Sequence, residues 1–472
     1  MNFAPLTLEL LLAGLILIVF VVDLVSKNPK VLAGITFVGL TILFFLNLLH
    51  PWYGTTFQGT FVSNSFTGFL KGVFLLAGIL VSLGSLSTAE EQYRGRVGEY
   101  YILLLFSLLG MLFVVSAHDL VLFFVAFELM SIPLYILAAY QKDSEASIEA
   151  GLKLFIFGTF SSAILVMGLA LLYGTTGSTR FDVLAQTLTE GEALSVLGFL
   201  LFLTGIGFKV AMVPFHMWVP DTYAGAPAPF VAFLSVAPKA AGFAILFIFF
   251  LQVFANLALP WKLVIAFLSG ITMILGNLLA IPQTHLKRLL GYSGIAHIGY
   301  MLLGVAAGTD LAIAMVLFYF VAYVLANIGA FLFAETALQN EGTDQLSALH
   351  GYAQRNPLLG LYMLIFLLSL GGIPFVVGFW AKLYVFLAAL KAGYGLLVFL
   401  AAVLTVVALY YYLNVARQIY IEKPASNDPV RVPASIHFVL IISTLGTVLL
   451  GLYPKLIVGP ALEIARAFVA GL

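Results

Sequence analysis

Apolar runs long enough to cross a hydrocarbon core of ~30 Å as helices of about 20 residues recur along the whole chain. We place about fourteen, at 6–26, 31–49, 66–86, 100–117, 119–140, 149–173, 194–214, 227–252, 261–282, 288–306, 310–336, 357–389, 395–417 and 435–457. Two of them are interrupted. The run carrying Lys209 meets Pro214 and Pro220, and proline removes a backbone donor and clashes one turn back, so that helix is expected to break. The stretch 357–389 is too long for one straight crossing and contains Gly371, Gly372 and Pro374. The breaks resemble each other, with VPF at Val213 to Phe215 followed by Trp218 and IPF at Ile373 to Phe375 followed by Trp380. Interrupted helices in corresponding positions point to two inverted repeats with a site between them. The pattern thus predicts an all-α polytopic membrane protein forming one membrane domain over 1–472. Its parts are N-terminal packing helices (1–98), a first half-channel repeat (99–255), a second (256–420) and a C-terminal helix (421–472).

Composition agrees. Of 472 residues, 62% are hydrophobic and 9% charged, with mean hydropathy +1.11, against roughly 25% charged in a soluble domain. Formal net charge is zero and no Lys/Arg-rich run exists, which argues against nucleic acid as a partner. The absence of cysteine excludes disulfides, thiolate nucleophiles, iron–sulfur clusters and Cys-ligated zinc, so any redox chemistry is expected in another chain. No nucleotide, flavin or metal motif is present. The run from Leu6 to Val25 lacks a preceding basic residue and a small-residue cleavage site, and reads as a retained first span.

Loop charges predict orientation. On one side lie Lys27, Lys30, Arg94, Arg96, Lys142, Lys287, Arg288, Arg355, Arg417, Lys423 and Arg431; on the side of the N-terminus lie Arg180, Lys262, Lys391, Lys455 and Arg466. By the positive-inside rule both termini face away from the cytoplasm.

Deep ionisable groups are few, and at membrane depth such groups are costly and usually functional. Glu128 is the one carboxylate near the middle of a span, nine residues past Asp119 and so ~13 Å along the helix. Lys153, Lys209, Lys239 and Lys382 are the intramembrane lysines and His297 the intramembrane histidine. Burial and neighbouring charge move pKa values in opposite directions, which is what a proton relay requires. The alternative for each is a buried polar residue satisfied by backbone. Lys71 lies close enough to a helix end that snorkelling is its expected role. His216 and Asp221 are weaker candidates for transfer, and His285, Lys287 and Arg288 read as a solvated loop. Ser131, Ser161, Ser162, Thr204, Ser235 and Thr272 are expected mostly to bond their own helices.

The run FKVAMVPFHMWVPDTYAGAPAPFVAFLSVAPKAA and HLKRLLGYSGIAHIGYM from His285 to Met301 resemble the antiporter-like proton-translocating subunits of respiratory complex I. They are similar also to relatives in Mrp-type cation antiporters and membrane hydrogenases. FELMSIPLY around Glu128, EAGLKLFIFG around Lys153 and GFWAKLYVF around Lys382 fit the same family, so the likeness covers nearly the whole chain. A lysine in the twelfth span, about fourteen spans and no long C-terminal lateral helix are most similar to its subunit N branch.

The resemblance implies that Glu128 and Lys209 form the Glu–Lys pair of the first half-channel, that Lys239 is the central lysine and that Lys382 serves the second half-channel. Lys153 matches a further lysine of the first half, and His297 would connect Lys239 to Lys382. Gly294 stands where many relatives have a serine. The resemblance also implies that the chain holds no cofactor itself, with FMN, iron–sulfur clusters and quinone in partner subunits. Its partners would be neighbouring membrane subunits, the lipid bilayer and protons, in a cell inner membrane.

Overall fold

The computed structural model describes residues 3–471 except 94, 189–192, 258, 425 and 427. Arg94, counted above for orientation, and the extreme terminal residues lie outside the described set. The first seven long helices are α1 (Thr7–Val25), α2 (Pro29–Leu49), α3 (Ser65–Gly84), α4 (Val97–Ser116), α5 (Leu120–Ala138), α6 (Glu145–Thr176) and α7 (Ala193–Val210). There follow α8 (Ala228–Val253), α9 (Trp261–Ala280), α10 (Leu286–Ala307), α11 (Asp310–Glu341), α12 (Pro357–Gly371), α13 (Val377–Lys391), α14 (Gly395–Tyr420), α15 (Ala434–Leu452) and α16 (Lys455–Ala470). Among the described residues thirteen helices are long and apolar enough to cross a membrane. The pair α12 and α13 makes one further, interrupted crossing, which agrees with the expected fourteen. The protein is an all-α polytopic membrane protein. The final helix α16, starting with Lys455, is one more than the C-terminal run suggested.

Helix ends are set by local chemistry that the sequence carries. Asp119 caps α5 by accepting from the backbone N–H groups of Val121 and Leu122 at 2.9 and 3.1 Å. Asn64 and Thr67 form a reciprocal capping box on α3. Asn356 caps α12 with Pro357 in its first turn, and Gly342 closes α11 at φ +69°.

Layering decides where a site can sit. The most apolar windows of α8, α10 and α11 are each 94% buried, whereas that of α14 is 28% buried. Leu396, Phe399, Val403, Val406 and Tyr410 give α14 an exposed apolar face, as expected where the surroundings are lipid. The three enclosed helices carry Lys239, His297 and a row of polar residues on α11. Lys71 departs from expectation. It is 2% exposed, and its Nζ lies 2.7 Å from Glu9 Oε1, itself fully buried on α1. Lys71 does not snorkel, because a carboxylate on the neighbouring helix meets it inside the bundle.

Candidate functional site

The first break follows α7. Ala211 takes a left-handed φ of +63°, and the chain continues through a cis Val213–Pro214 bond to a short helix at Trp218–Gly225. The freed backbone groups find partners within the protein, since Trp218 Nε1 donates to the Phe208 carbonyl at 3.0 Å and Val213 N–H donates to Thr272 Oγ1 at 3.1 Å. Lys209, one residue before the helix end and 6% exposed, donates from Nζ to Ser131 Oγ at 2.7 Å. Ser131 in turn donates to Phe127 O at 2.6 Å. The ammonium also lies 5.3 Å from the Phe127 ring centre and 5.9 Å from that of Tyr135.

Glu128 lies on α5, three residues before Ser131. Among the described residues no carboxylate comes within 4.0 Å of Lys209 Nζ, whose direct partner is the Ser131 hydroxyl. Glu128 Oε1 is enclosed without a hydrogen-bond partner among the described groups, and the carboxylate lies close enough for its charge to act on Lys209.

Lys153 also departs from expectation. It is about one-third exposed and pairs with Glu149 at 2.6 Å and Asp221 at 2.7 Å, with Arg288 reaching Asp221 at 3.0 Å. These groups line a cavity of about 330 Å³ together with His285 and Asp344. Lys153 sits two turns into α6, near the helix end, which gives it solvent and partners. Asp221 belongs to this mouth, and Lys287, read as a solvated loop residue, is 5% exposed with its Nζ on Ala226 O at 3.0 Å. His216 is 7% exposed.

Lys239, on α8, is fully buried, and its Nζ has no hydrogen-bond partner among the described protein groups. It stands 5.5 Å from the centre of the Tyr223 ring. A β-carbon at Gly294 would lie 2.9 Å from Tyr323 Oη and 3.4 Å from Lys239 Nζ, so the position that lacks a serine opens directly between these two groups. His297, on α10, contacts Tyr319 Oη through Nδ1 at 2.7 Å and Tyr412 Oη through Nε2 at 3.2 Å.

The second break parallels the first. Gly372 has φ +82°, and a β-carbon there would lie 3.0 Å from Lys382 Cδ, so glycine meets both a backbone and a space requirement. Phe375 is left-handed at φ +77°. Lys382, 3% exposed on α13, reaches back to the end of α12 and donates to the carbonyls of Leu370 at 2.8 Å and Gly371 at 3.3 Å. Those oxygens are orphaned by the helix end, and its dipole favours a cation. Lys382 Nζ also lies 5.0 Å from the Tyr300 ring centre.

Between Lys382 and His297 runs a set of side chains that the sequence reading missed. Tyr300 Oη accepts from Asn277 Nδ2 at 3.1 Å, Asn277 Oδ1 accepts from Tyr411 Oη at 3.1 Å, and the Tyr411 ring packs on Tyr412, which contacts both His297 and Ser293. Of the hydroxyls named earlier, Thr204 bonds its own helix as expected, Ser161 instead donates across to Gly205 O at 3.2 Å, and Ser131, Ser235 and Thr272 bond their own helices and also accept from elsewhere.

The family model described as NADH:quinone oxidoreductase/Mrp antiporter, TM, matches residues 117–408, which hold both breaks and Lys153, Lys209, Lys239 and Lys382. The chain belongs to this family. NADH-quinone oxidoreductase subunit N of Heliobacterium modesticaldum is 40% identical, covering 98% of each chain. That of Desulforamulus reducens is 37% identical, again over 98% of each. Among solved structures, a chain of respiratory complex I from Thermus thermophilus with bound aureothin has TM-score 0.82 and 32% identity, covering 96% of this chain and 99% of that one. A chain of the Mrp complex from Dietzia has TM-score 0.89 at 21% identity, covering 99% and 97%, a likeness of fold alone. Family membership and this chain's own two broken helices and buried polar axis frame a functional reading.

Proposed function

We propose that this chain is the proton-translocating subunit N of an NADH:quinone oxidoreductase assembly, which couples electron transfer in partner subunits to proton movement. The observation that carries this reading is the axis of buried lysines. Lys209, Lys239 and Lys382 are each at most 6% exposed and lack a carboxylate partner within 4.0 Å among the described residues, and Lys239 and Lys382 lie on either side of the His297 and tyrosine network. Three cations left in an apolar bundle would be costly to keep merely for structure. Groups that gain and lose protons in turn explain their retention.

In this scheme Lys209, supported by Ser131 and the nearby Glu128, carries protons in the first half, with Lys153 and Asp221 at its mouth. Lys239 is the central carrier. His297 and the hydroxyls of Tyr412, Tyr411 and Tyr300 lead to Lys382, which exchanges its proton beside the unwound backbone of the second break. Electron carriers, namely FMN, iron–sulfur clusters and quinone, belong to partner subunits, and other membrane subunits flank this one. Both termini face away from the cytoplasm, and accessibility tags at the two ends and in the connection between α3 and α4 test that arrangement.

Purification under mild detergent tests the assembly. Co-isolation with flavin and iron–sulfur subunits supports the proposal, whereas a complex of membrane subunits alone identifies a cation/proton antiporter or related assembly instead. Within the assembled complex, Lys239→Met is expected to lower proton translocation about a hundredfold, the size of a lost proton-transfer group. Unchanged translocation in that variant overturns the proton-carrier role.

A further inference from the structure

Helix α11 carries hydrogen-bonding side chains at four-residue spacing: Tyr319, Tyr323, Asn327, Glu335 and Gln339, with Phe331 the apolar member. At 3.6 residues per turn each step of four drifts by about 40°, so neighbouring members of the series adjoin along a ridge that winds around the helix. Tyr319 contacts His297, Tyr323 adjoins Lys239 across Gly294, and Asn327 Nδ2 donates to Ser235 Oγ at 2.6 Å. Asn327 Oδ1 and the hydroxyls of Tyr323 and Tyr223 are enclosed without a described protein partner. Each retains hydrogen-bonding capacity facing the interior.

Glu335 is the acidic member of the series. It lies within two turns of the end of α11, yet it is 2% exposed. Thr88 Oγ1 donates to its Oε1 at 2.5 Å and Gln339 Nε2 donates to the same oxygen at 2.9 Å. No cation lies within 4.0 Å of its carboxylate among the described residues. Lys287, Glu91, Tyr93 and Tyr100 are the surrounding ionisable groups electrostatically coupled to it. A buried carboxylate with only neutral donors is stable as a site that can take up a proton. Glu335 lies eight residues beyond Asn327, ~12 Å along the helix. The interval holds Phe331, packed edge-on against Tyr223 with ring centres 5.7 Å apart, and Tyr223 is the ring beneath Lys239. Hydrogen-bonding groups therefore flank the single apolar turn on both sides.

We propose that Glu335 is the proton-transfer group that connects Lys239 to the aqueous face on which residues 337–356 lie, by way of Asn327, Tyr223 and Tyr323. Neutral Glu335 gives its proton toward Lys239, leaving a carboxylate and converting the lysine amine to ammonium. The carboxylate is then reprotonated from the Gln339 end, and the reverse sequence serves release. The proposal rests on the reading of Lys239 as a proton carrier.

The test compares Glu335→Gln, Glu335→Asp, Asn327→Leu and Lys239→Met in the assembled complex in proteoliposomes, with proton translocation normalised to complex content. Glu335→Gln, which keeps shape and hydrogen bonds, is expected to lose about tenfold in translocation, and Glu335→Asp to restore much of it, a rescue that a packing role would not give. Wild-type translocation in Glu335→Gln alongside a defect in Lys239→Met overturns the Glu335 proposal alone. Wild-type translocation in both overturns the wider reading of the lysine axis. If Glu335→Gln fails to assemble, Asn327→Leu decides: a severalfold loss supports the route, and full activity overturns it.

Discussion

The two helix breaks solve one problem in different ways. In each, a residue other than glycine is forced into left-handed backbone, Ala211 in one and Phe375 in the other, and a tryptophan from the following segment donates to a carbonyl, Trp218 to Phe208 and Trp380 to Gly451. In each a buried lysine stands at the carbonyl end of a half-helix. Lys209 belongs to the half-helix before its break and directs its ammonium across to a side-chain hydroxyl, Ser131. Lys382 comes from the half-helix after its break and reaches back to backbone carbonyls. Backbone acceptors cannot be removed by substitution, whereas a hydroxyl can. The first half is therefore tunable through α5, and the second is fixed by the geometry of α12.

The strongest test of that difference is at Lys382. Lys382→Met is expected to cut translocation about a hundredfold, the scale of a lost proton-transfer group. Lys382→Arg should be nearly as damaging, because a guanidinium keeps the charge but does not release its proton. Lys382→Glu, which can carry a proton, should retain part of the activity. Proton uptake by vesicles bearing each variant measures this. Full activity in the arginine variant would make Lys382 a fixed charge and break the parallel with Lys209.

Lys382 was legible in the sequence because a lysine inside an apolar run beside Gly371, Gly372 and Pro374 has few bland explanations. The tyrosines were not, since a tyrosine in an apolar run looks like packing until its hydroxyl is placed. Tyr319, Tyr323 and Asn327 did offer a signal, their spacing of four on α11. The burial of Glu9 and Glu335 carries no such signal, because a carboxylate near a helix end reads as exposed in the sequence. The structure buries both, Glu9 against Lys71 and Glu335 beneath Thr88. Helix ends are exposed only where no neighbour covers them.

A moderate effect is expected in the first half. Ser131→Ala removes the hydroxyl that receives the Lys209 proton bond, a loss of about 1.5–3 kcal/mol for a hydrogen bond to a charged group. Translocation should fall by roughly tenfold at most, less than for Lys382→Met, because Glu128 remains on the same helix. Glu128→Gln should lower translocation as well, and combining it with Ser131→Ala measures their coupling. Additive losses would show that hydroxyl and carboxylate act independently, whereas a double variant no worse than either alone would show that they serve Lys209 as one unit.

The smallest effect on translocation is expected at Lys71, and it sharpens the comparison by supplying a lysine of the opposite kind. Lys71 is as buried as Lys382, yet its Nζ meets a carboxylate, Glu9, at 2.7 Å on a helix that has no break. A close, enclosed ion pair fixes both side chains against each other, and among the described residues Lys71 has no unwound carbonyl or hydroxyl partner of the kind around the other lysines. Lys71→Met should therefore leave a buried carboxylate uncompensated and cost about 3–5 kcal/mol in stability, seen as reduced yield of assembled complex. Removing both charges with Glu9→Gln and Lys71→Met should recover much of that yield, since the desolvation cost of both ions disappears together. Translocation per assembled complex should equal wild type in the double variant. A loss of translocation there would mean that burial alone marks a working lysine in this protein, and that the broken helix and its neutral acceptors are not what set Lys209 and Lys382 apart.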